Sequence, residues 1–231
     1  MIEVVGHRGA AGLEPENTLR SIRKAIDLGV DSVEIDVRVT RDGYLVVIHD
    51  ETVDRTTNGH GYVKDLTFNE IRRLDAGKGE KIPTLEEVLN LTKGKVVLQI
   101  ELKAREATEP TVHLIERNNA ERDVIIISFM HDLLRRVHDL NSALRTGAIF
   151  FDVQGDICQR AIDVHSEAIH VYYRNVDSKL IEAAHREGLK VAVWNPDELE
   201  DMKKMISLGV DVIGTNRPDI LLNLLKEMGM R

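Results

Sequence analysis

Short β-branched and apolar runs alternate with longer amphipathic segments along almost the whole chain. The runs are EVVG, VEIDV, VVLQIE, VIIIS, TGAIF, IHVYY, VAVW and DVIGT. They read as eight strands. Segments with helical spacing lie between most of them, among them ENTLRSIRKAIDL, HDLLRRVHDL, SKLIEAAHRE and ELEDMKKMISL. Three of these close on a glycine suited to a left-handed cap, Gly29, Gly188 and Gly209. Eight strands alternating with helices predict an α/β chain folded as a (β/α)8 TIM barrel. An internal echo, LGVDSVEID at 28–36 and LGVDVIGTN at 208–216, marks a repeated helix-to-strand junction.

One further apolar run, LVVIHD, follows VEIDV too closely for a parallel crossover, which needs a dozen or more residues. It is expected to fold back as a β-hairpin after the second strand. Asp42-Gly43 signals a two-residue turn. That register sets Arg41 opposite Tyr44, Val39 opposite Val46 and Asp36 opposite His49, so Glu34, Asp36 and His49 converge on one side. Residues 51–83 are poorly apolar and carry two capping boxes, Thr67 with Glu70 and Thr84 with Glu87. They read either as a small insertion over the site or as a solvated excursion with no role.

At 231 residues with 42% hydrophobic positions, the chain fits one domain spanning 1–231 that contains this insertion. Its 31 basic and 39 acidic residues give a net charge of -8, which argues against nucleic acid or an anionic membrane as partner. Cys158 is the only cysteine, so no intramolecular disulfide or cysteine-rich metal site is possible. No apolar run approaches the ~18 residues of a membrane span, and the start of the chain lacks a signal-peptide pattern. The expectation is a soluble cytoplasmic protein with a small-molecule partner.

In such a barrel, polar residues at the C-terminal ends of strands are more often functional than structural. Here they are His7 and Arg8, Glu34 and Asp36, Glu101 and Lys103, Trp194, and Asn216 with Arg217. Two ionised carboxylates on one side of a buried strand are costly unless a cation holds them. Three carboxylates without a His/Cys cluster indicate a hard divalent metal, Mg2+ or Ca2+, bound by Glu34, Asp36 and Glu101. Arg8 and Lys103 add fixed positive charge that suits an oxyanion, most simply a phosphate. His7 and His49 are placed for general acid and base work on its two sides. Lys103 as a Schiff-base lysine is disfavoured, because the adjacent carboxylates keep it protonated. Trp194 is either core or a substrate-binding pocket wall. The other seven histidines, His170 among them, read as surface or packing residues, and Cys158 as a small filler.

HRGAAGLEPENT, the VEIDV, TRDG and VVIHD block, TNGHG, IPTLEEVL, QIELK, VAVWN and GTNRPD together resemble the glycerophosphodiester phosphodiesterase family over nearly the whole chain. The resemblance implies a TIM barrel with a small insertion, a required divalent metal, and hydrolysis of glycerophosphodiesters to glycerol 3-phosphate and an alcohol. It implies Glu34, Asp36 and Glu101 as metal ligands, His7 and His49 as the acid/base pair, and Arg8 and Lys103 as phosphate-binding. Asn17 or Thr18 is expected to cap the first helix, with Glu16 orienting the His7 region. Two departures are an Asn at 216, where the family often has Asp, and the short insertion. The rival readings are a lysophospholipase D or phosphoinositide-type phosphodiesterase on the same barrel, and a non-catalytic barrel that binds glycerophosphodiesters.

Overall fold

The computed structural model describes residues 2–231. Eight parallel strands close into a barrel: β1 (Glu3–Gly6), β2 (Ser32–Val39), β4 (Val97–Leu102), β5 (Val124–Ser128), β6 (Arg145–Phe150), β7 (Ala168–Tyr172), β8 (Lys190–Trp194) and β9 (Val212–Thr215). The short β3 (Leu45–Val47) pairs antiparallel with β2, and β1 closes the ring by pairing with both β2 and β9. Among the described residues the α-helices are α1 (Leu19–Leu28), α2 (Phe68–Arg73), α3 (Leu85–Thr92), α4 (Thr108–Arg117), α5 (His131–Leu140), α6 (Ile157–Ile162), α7 (Ser178–Arg186), α8 (Leu199–Leu208) and α9 (Pro218–Glu227). The chain is thus the (β/α)8 barrel that its strand and helix periodicity predicts. Among the described residues no helix is long and apolar enough to cross a membrane.

Strand alternation decides what faces what. On β2, Val33, Ile35 and Val37 are fully buried in the large core between sheet and helices, while the alternate positions Glu34 and Asp36 face the barrel interior. Burying each such aliphatic side chain contributes roughly 1.5–3 kcal/mol. The lumen itself holds a smaller apolar cluster of Val5, Ala192 and Val212. Cys158 is buried in the large core, as a small filler would be.

The repeated Leu-Gly-Val-Asp junction has a physical basis. Gly29 and Gly209 end α1 and α8 in the left-handed conformation. The aspartate that follows then accepts a hydrogen bond from a strand backbone: Asp31 Oδ2 from Val4 N, and Asp211 Oδ2 from Val191 N, both at 2.8 Å. Each aspartate ties a helix-to-strand turn to a neighbouring strand.

The hairpin differs from the expected register by one residue. Val37 pairs with Val47, Arg38 with Val46 and Val39 with Leu45, so the turn holds three residues, 41–43, with Gly43 at φ 86°. Thr40 explains the longer turn. Its hydroxyl donates to Asp42 Oδ1 at 2.7 Å and accepts from Tyr44 N at 2.9 Å, and the Thr40 N–H reaches Tyr44 O at 3.0 Å. Asp36 therefore stands opposite Ile48, whose N–H donates to the Asp36 carbonyl. His49 reaches the site because the chain leaves β3 after Val47, and not through cross-strand pairing.

Residues 51–83 form a 3-10 turn (Val63–Asp65) and α2 around a separate small core of Val46, Ile48, Val53, Val63, Ile71, Ala76 and Ile82. Both expected capping boxes are present, Thr67 with Glu70 and Thr84 with Glu87.

Candidate active site

Parallel pairing aligns Glu34 with Gln99 and Asp36 with Glu101, so the carboxylates of β2 and β4 meet at the C-terminal mouth of the barrel. One ligand oxygen from each of Glu34, Asp36 and Glu101 lies within 4.8 Å of the others. Glu34 Oε1 and Asp36 Oδ1 are buried without a hydrogen-bond partner. Burial, followed by the charges of Asp36 and Glu101, pushes the Glu34 carboxyl well above its usual range. Burial and Asp36 raise Glu101 to about 7. Burial also opposes ionisation of Asp36, but Lys103 and Arg8 outweigh it and hold this carboxyl low. Three crowded carboxyls with two orphaned oxygens are the donor set of a hard divalent cation, whose charge would offset the repulsion within the trio.

Two cations border the trio. Lys103 Nζ lies 2.6 Å from Glu101 Oε1 and 3.3 Å from Asp36 Oδ1. Arg8 Nε lies 3.2 Å from Asp36 Oδ2, and Arg8 Nη1 donates to Glu16 Oε1 at 2.8 Å. Arg8 sits at φ 50°, a left-handed conformation costing a non-glycine residue roughly 1–2 kcal/mol. That turn presents its N–H to Glu34 Oε2 at 3.0 Å. Glu16 thus orients Arg8 rather than His7. The helix cap is Thr18, which accepts from Ser21 N, whereas Asn17 donates to Asp36 Oδ2 at 2.8 Å.

His7 is oriented from β9. Asn216 gives two N–H groups to Asp197: its backbone N to Oδ1 at 2.8 Å, and Nδ2 to Oδ2 at 2.6 Å. Since a carboxylate only accepts, this fixes the amide and turns Asn216 Oδ1 toward His7 Nδ1 at 2.8 Å. His7 therefore carries its proton on Nδ1 and leaves Nε2 as a lone pair in the pocket. Burial first, then Arg8, lowers its pKa to about 4, so at pH 7 the ring is neutral.

His49 is built differently. Its Nδ1 donates to Asp50 Oδ1 at 2.7 Å, and Arg55 holds Asp50 through Nε at 2.7 Å. Arg55 also forks onto both oxygens of Glu16 at 2.8 Å. A chain of charges, Arg8, Glu16, Arg55, Asp50 and His49, therefore runs around the rim. His49 is partly exposed, and burial lowers its basicity although Asp36 opposes this.

His7, Arg8, Glu34, His49, Glu101, Lys103 and Trp194 line one cavity of about 210 Å3, with Asp36 buried in its wall. Trp194 is thus pocket wall. Sequence reasoning missed Asp197 and Asn195, whose Nδ2 lies 3.4 Å from His7 Nε2. It also missed Asp50, Arg55 and His170. The motif strings that contain Asn195 and Asp50 were legible, but what each side chain touches depends on tertiary contact. His170 has a signal that was passed over: it interrupts the apolar strand IHVYY at an inward position.

His170 is 8% exposed and lines the same cavity, and burial lowers its pKa to about 4. Its folded pKa lies below the unfolded 6.5, so its contribution is fully present above pH 6.5 and is lost as pH falls toward about 4. The loss is about 3 kcal/mol from this group. Denaturant unfolding of the wild type and of His170→Phe across pH 4–7 should show the two stability curves changing their separation only in that window. Curves that stay parallel would remove this account.

A sequence model described as the glycerophosphoryl diester phosphodiesterase family matches residues 7–220. A glycerophosphodiester phosphodiesterase from Caldanaerobacter subterraneus subsp. tengcongensis is 41% identical, covering 98% of each chain. Among solved structures, a putative glycerophosphoryl diester phosphodiesterase from Silicibacter pomeroyi superposes with a TM-score of 0.94 at 27% identity, covering 100% of this chain and 95% of its own. A phosphodiesterase from Oleispira antarctica, in complex with the product sn-glycerol-3-phosphate, superposes with a TM-score of 0.91 at 25% identity, covering 97% and 96%.

Proposed function

The chain belongs to the glycerophosphoryl diester phosphodiesterase family, and from that premise we propose that it converts glycerophosphodiesters to sn-glycerol 3-phosphate and an alcohol through acid–base catalysis by His7 and His49. It is an enzyme of that family, a phosphoric diester hydrolase. One observation carries the division of labour: the Asn216–Asp197 pair keeps the His7 proton on Nδ1 and aims Nε2 into the cavity lined by Glu34, Glu101, Arg8 and Lys103, while burial and Arg8 keep the ring neutral.

Glu34, Asp36 and Glu101 would hold the divalent cation, Mg2+ or Ca2+, and the orphaned oxygens of Glu34 and Asp36 fit that role. When bound, the cation neutralises phosphoryl charge and polarises the phosphorus centre. Arg8 and Lys103 bind the phosphate oxygens, and Trp194 forms a wall beside the substrate. His7 Nε2 takes the proton of the glycerol hydroxyl next to the esterified carbon. That oxygen attacks phosphorus, the bond to the departing alcohol breaks, and His49 gives its proton to the alcohol oxygen. The five-membered cyclic phosphate is then opened by water with the roles reversed: His49 takes the water proton and His7 returns its proton to the ring oxygen. Low basicity at His49 makes its imidazolium a stronger acid, at the expense of a smaller protonated fraction at pH 7. An internal nucleophile has an effective molarity of up to ~10⁵–10⁸ M in well-oriented cases.

Incubation with glycerophosphoethanolamine and Mg2+, followed by assay for sn-glycerol 3-phosphate, tests the activity. A substrate lacking only the neighbouring hydroxyl tests the route: it should bind and fail to turn over, and near-normal hydrolysis would rule the cyclic phosphate out. One observation favours a second substrate class. Phe129 and Phe151 are 44% and 63% exposed and lie against Trp194 at the mouth, an apolar lip that suits an acyl chain, so lysophospholipids belong in the same assay. Two orienting systems, one for each histidine, weigh against a non-catalytic binder. The proposal takes 1–231 as one domain acting in the cytoplasm on a small molecule, with 51–83 as its insertion.

A further inference from the structure

Below the carboxylates, the same cavity continues into the barrel lumen, where Val5, Ile127, Ile149, Ala192, Val212 and Gly214 form apolar walls. Two polar side chains stand among them, Gln99 on β4 and His170 on β7. They are 3% and 8% exposed, and neither has a hydrogen-bond partner among the described residues. Both line the cavity. Their polar atoms are not sealed off but open onto the cavity, where a bound polar group can pair with them. The neighbouring layers do not close over this space. Gly147, on the adjacent strand, has no Cβ, and one placed there would come within 2.5 Å of His170 Nε2. The glycine thus leaves room for the imidazole at the floor.

We propose that Gln99 and His170 form a polyol subsite that receives the terminal hydroxyl of the glycerol moiety, deepening the proposed phosphodiesterase reading. The cavity is closed at this end and small, whereas typical drug-sized pockets run to ~300–1,000 Å3. It therefore accepts the small, constant half of the substrate, and the variable alcohol leaves through the mouth. The placement of the histidines agrees. His7 follows β1 two positions beyond the lumen residue Val5 and is the less exposed of the two histidines, with 17% of its side chain accessible against 33% for His49 nearer the rim. Gln99 supplies both an amide donor and an acceptor, and His170, neutral when buried, supplies one of each. A hydroxyl is donor and acceptor at once and satisfies the pair. Both are positioning and specificity residues, distinct from the groups that move protons.

The test compares two ligands that differ by one hydroxyl, sn-glycerol 3-phosphate and propane-1,2-diol 1-phosphate. Binding is read by the fluorescence of Trp194, the only tryptophan, in the holoprotein with added Mg2+. Wild type should favour the glycerol compound by about tenfold or more. Gln99→Met, which keeps the side-chain length, and His170→Phe, which keeps a ring, should each bring that ratio toward one while binding the deoxy compound almost as wild type does. The same collapse should appear in kcat/KM for glycerophosphoethanolamine against its propanediol counterpart, chiefly through KM. A wild-type ratio near one, or a ratio unchanged in Gln99→Met, would mean that the floor is filled by water and overturn the subsite. Failure of the activity reading is a separate result, seen as no phosphodiester turnover at all, because the binding ratio is measured without chemistry.

Discussion

Exhaustive chelation should abolish turnover, and Mg2+ or Ca2+ should restore it, with a loss of at least ~10³-fold when the cation is absent. Asp36→Asn should lose activity on the same scale and resist rescue by added metal. Asp36 is the pivot because it is fully buried and takes contacts from Lys103, Arg8 and Asn17 at once. Truncation to Ala would leave two buried cations without their carboxylate, a change that typically costs about 3–5 kcal/mol of stability. The Asn variant keeps the shape and part of the hydrogen bonding, so it separates lost metal binding from unfolding when thermal unfolding is followed in parallel. Full activity after chelation, or unchanged metal dependence in a folded Asp36→Asn protein, would sink the assignment of this trio as the metal site.

The second large effect is expected at His49. General acid help is typically worth ~10²–10⁴ in rate, and it matters only where the departing oxygen needs a proton. His49→Ala should therefore be crippled by that factor on glycerophosphocholine yet far less impaired on a nitrophenyl phosphodiester of glycerol, whose leaving group is already a stable anion. Equal losses on both substrates would show that His49 does not protonate the leaving alcohol. His7→Ala provides the contrast, since a base that activates the nucleophile is needed whatever leaves.

Much of this architecture was legible in the sequence because it follows from local periodicity. VIIIS at 124–128 is β5 residue for residue, and HDLLRRVHDL is α5. The capping boxes at Thr67 and Thr84 also appear as written, since each needs only four consecutive residues. The carboxylate trio could be read because two members share one strand face and the third ends another strand. What escaped depends on geometry that no local rule encodes. The hairpin register turned on Thr40, whose hydroxyl makes a three-residue turn preferable to the two-residue turn that Asp42-Gly43 alone signals. The Asn216–Asp197 arrangement behind His7 joins residues more than 180 positions from it in sequence. His170 looked like packing because a histidine inside an apolar strand is usually that, and only the closed lumen shows which way it faces.

The rim chain that joins Arg8 to His49 through Glu16, Arg55 and Asp50 has a consequence for how the enzyme would respond to its surroundings. Its central member, Arg55, comes from the 51–83 segment and is 48% exposed in its side chain. Exposed pairs are weakened by salt, with a screening length of about 8 Å at 0.15 M. Ionic strength would therefore act on the phosphate grip and on the leaving-group proton donor together, through one side chain that touches neither the phosphate nor the alcohol. The segment that supplies Arg55 is in this sense a tuning element, and substitutions within it need not contact substrate to change both affinity and rate.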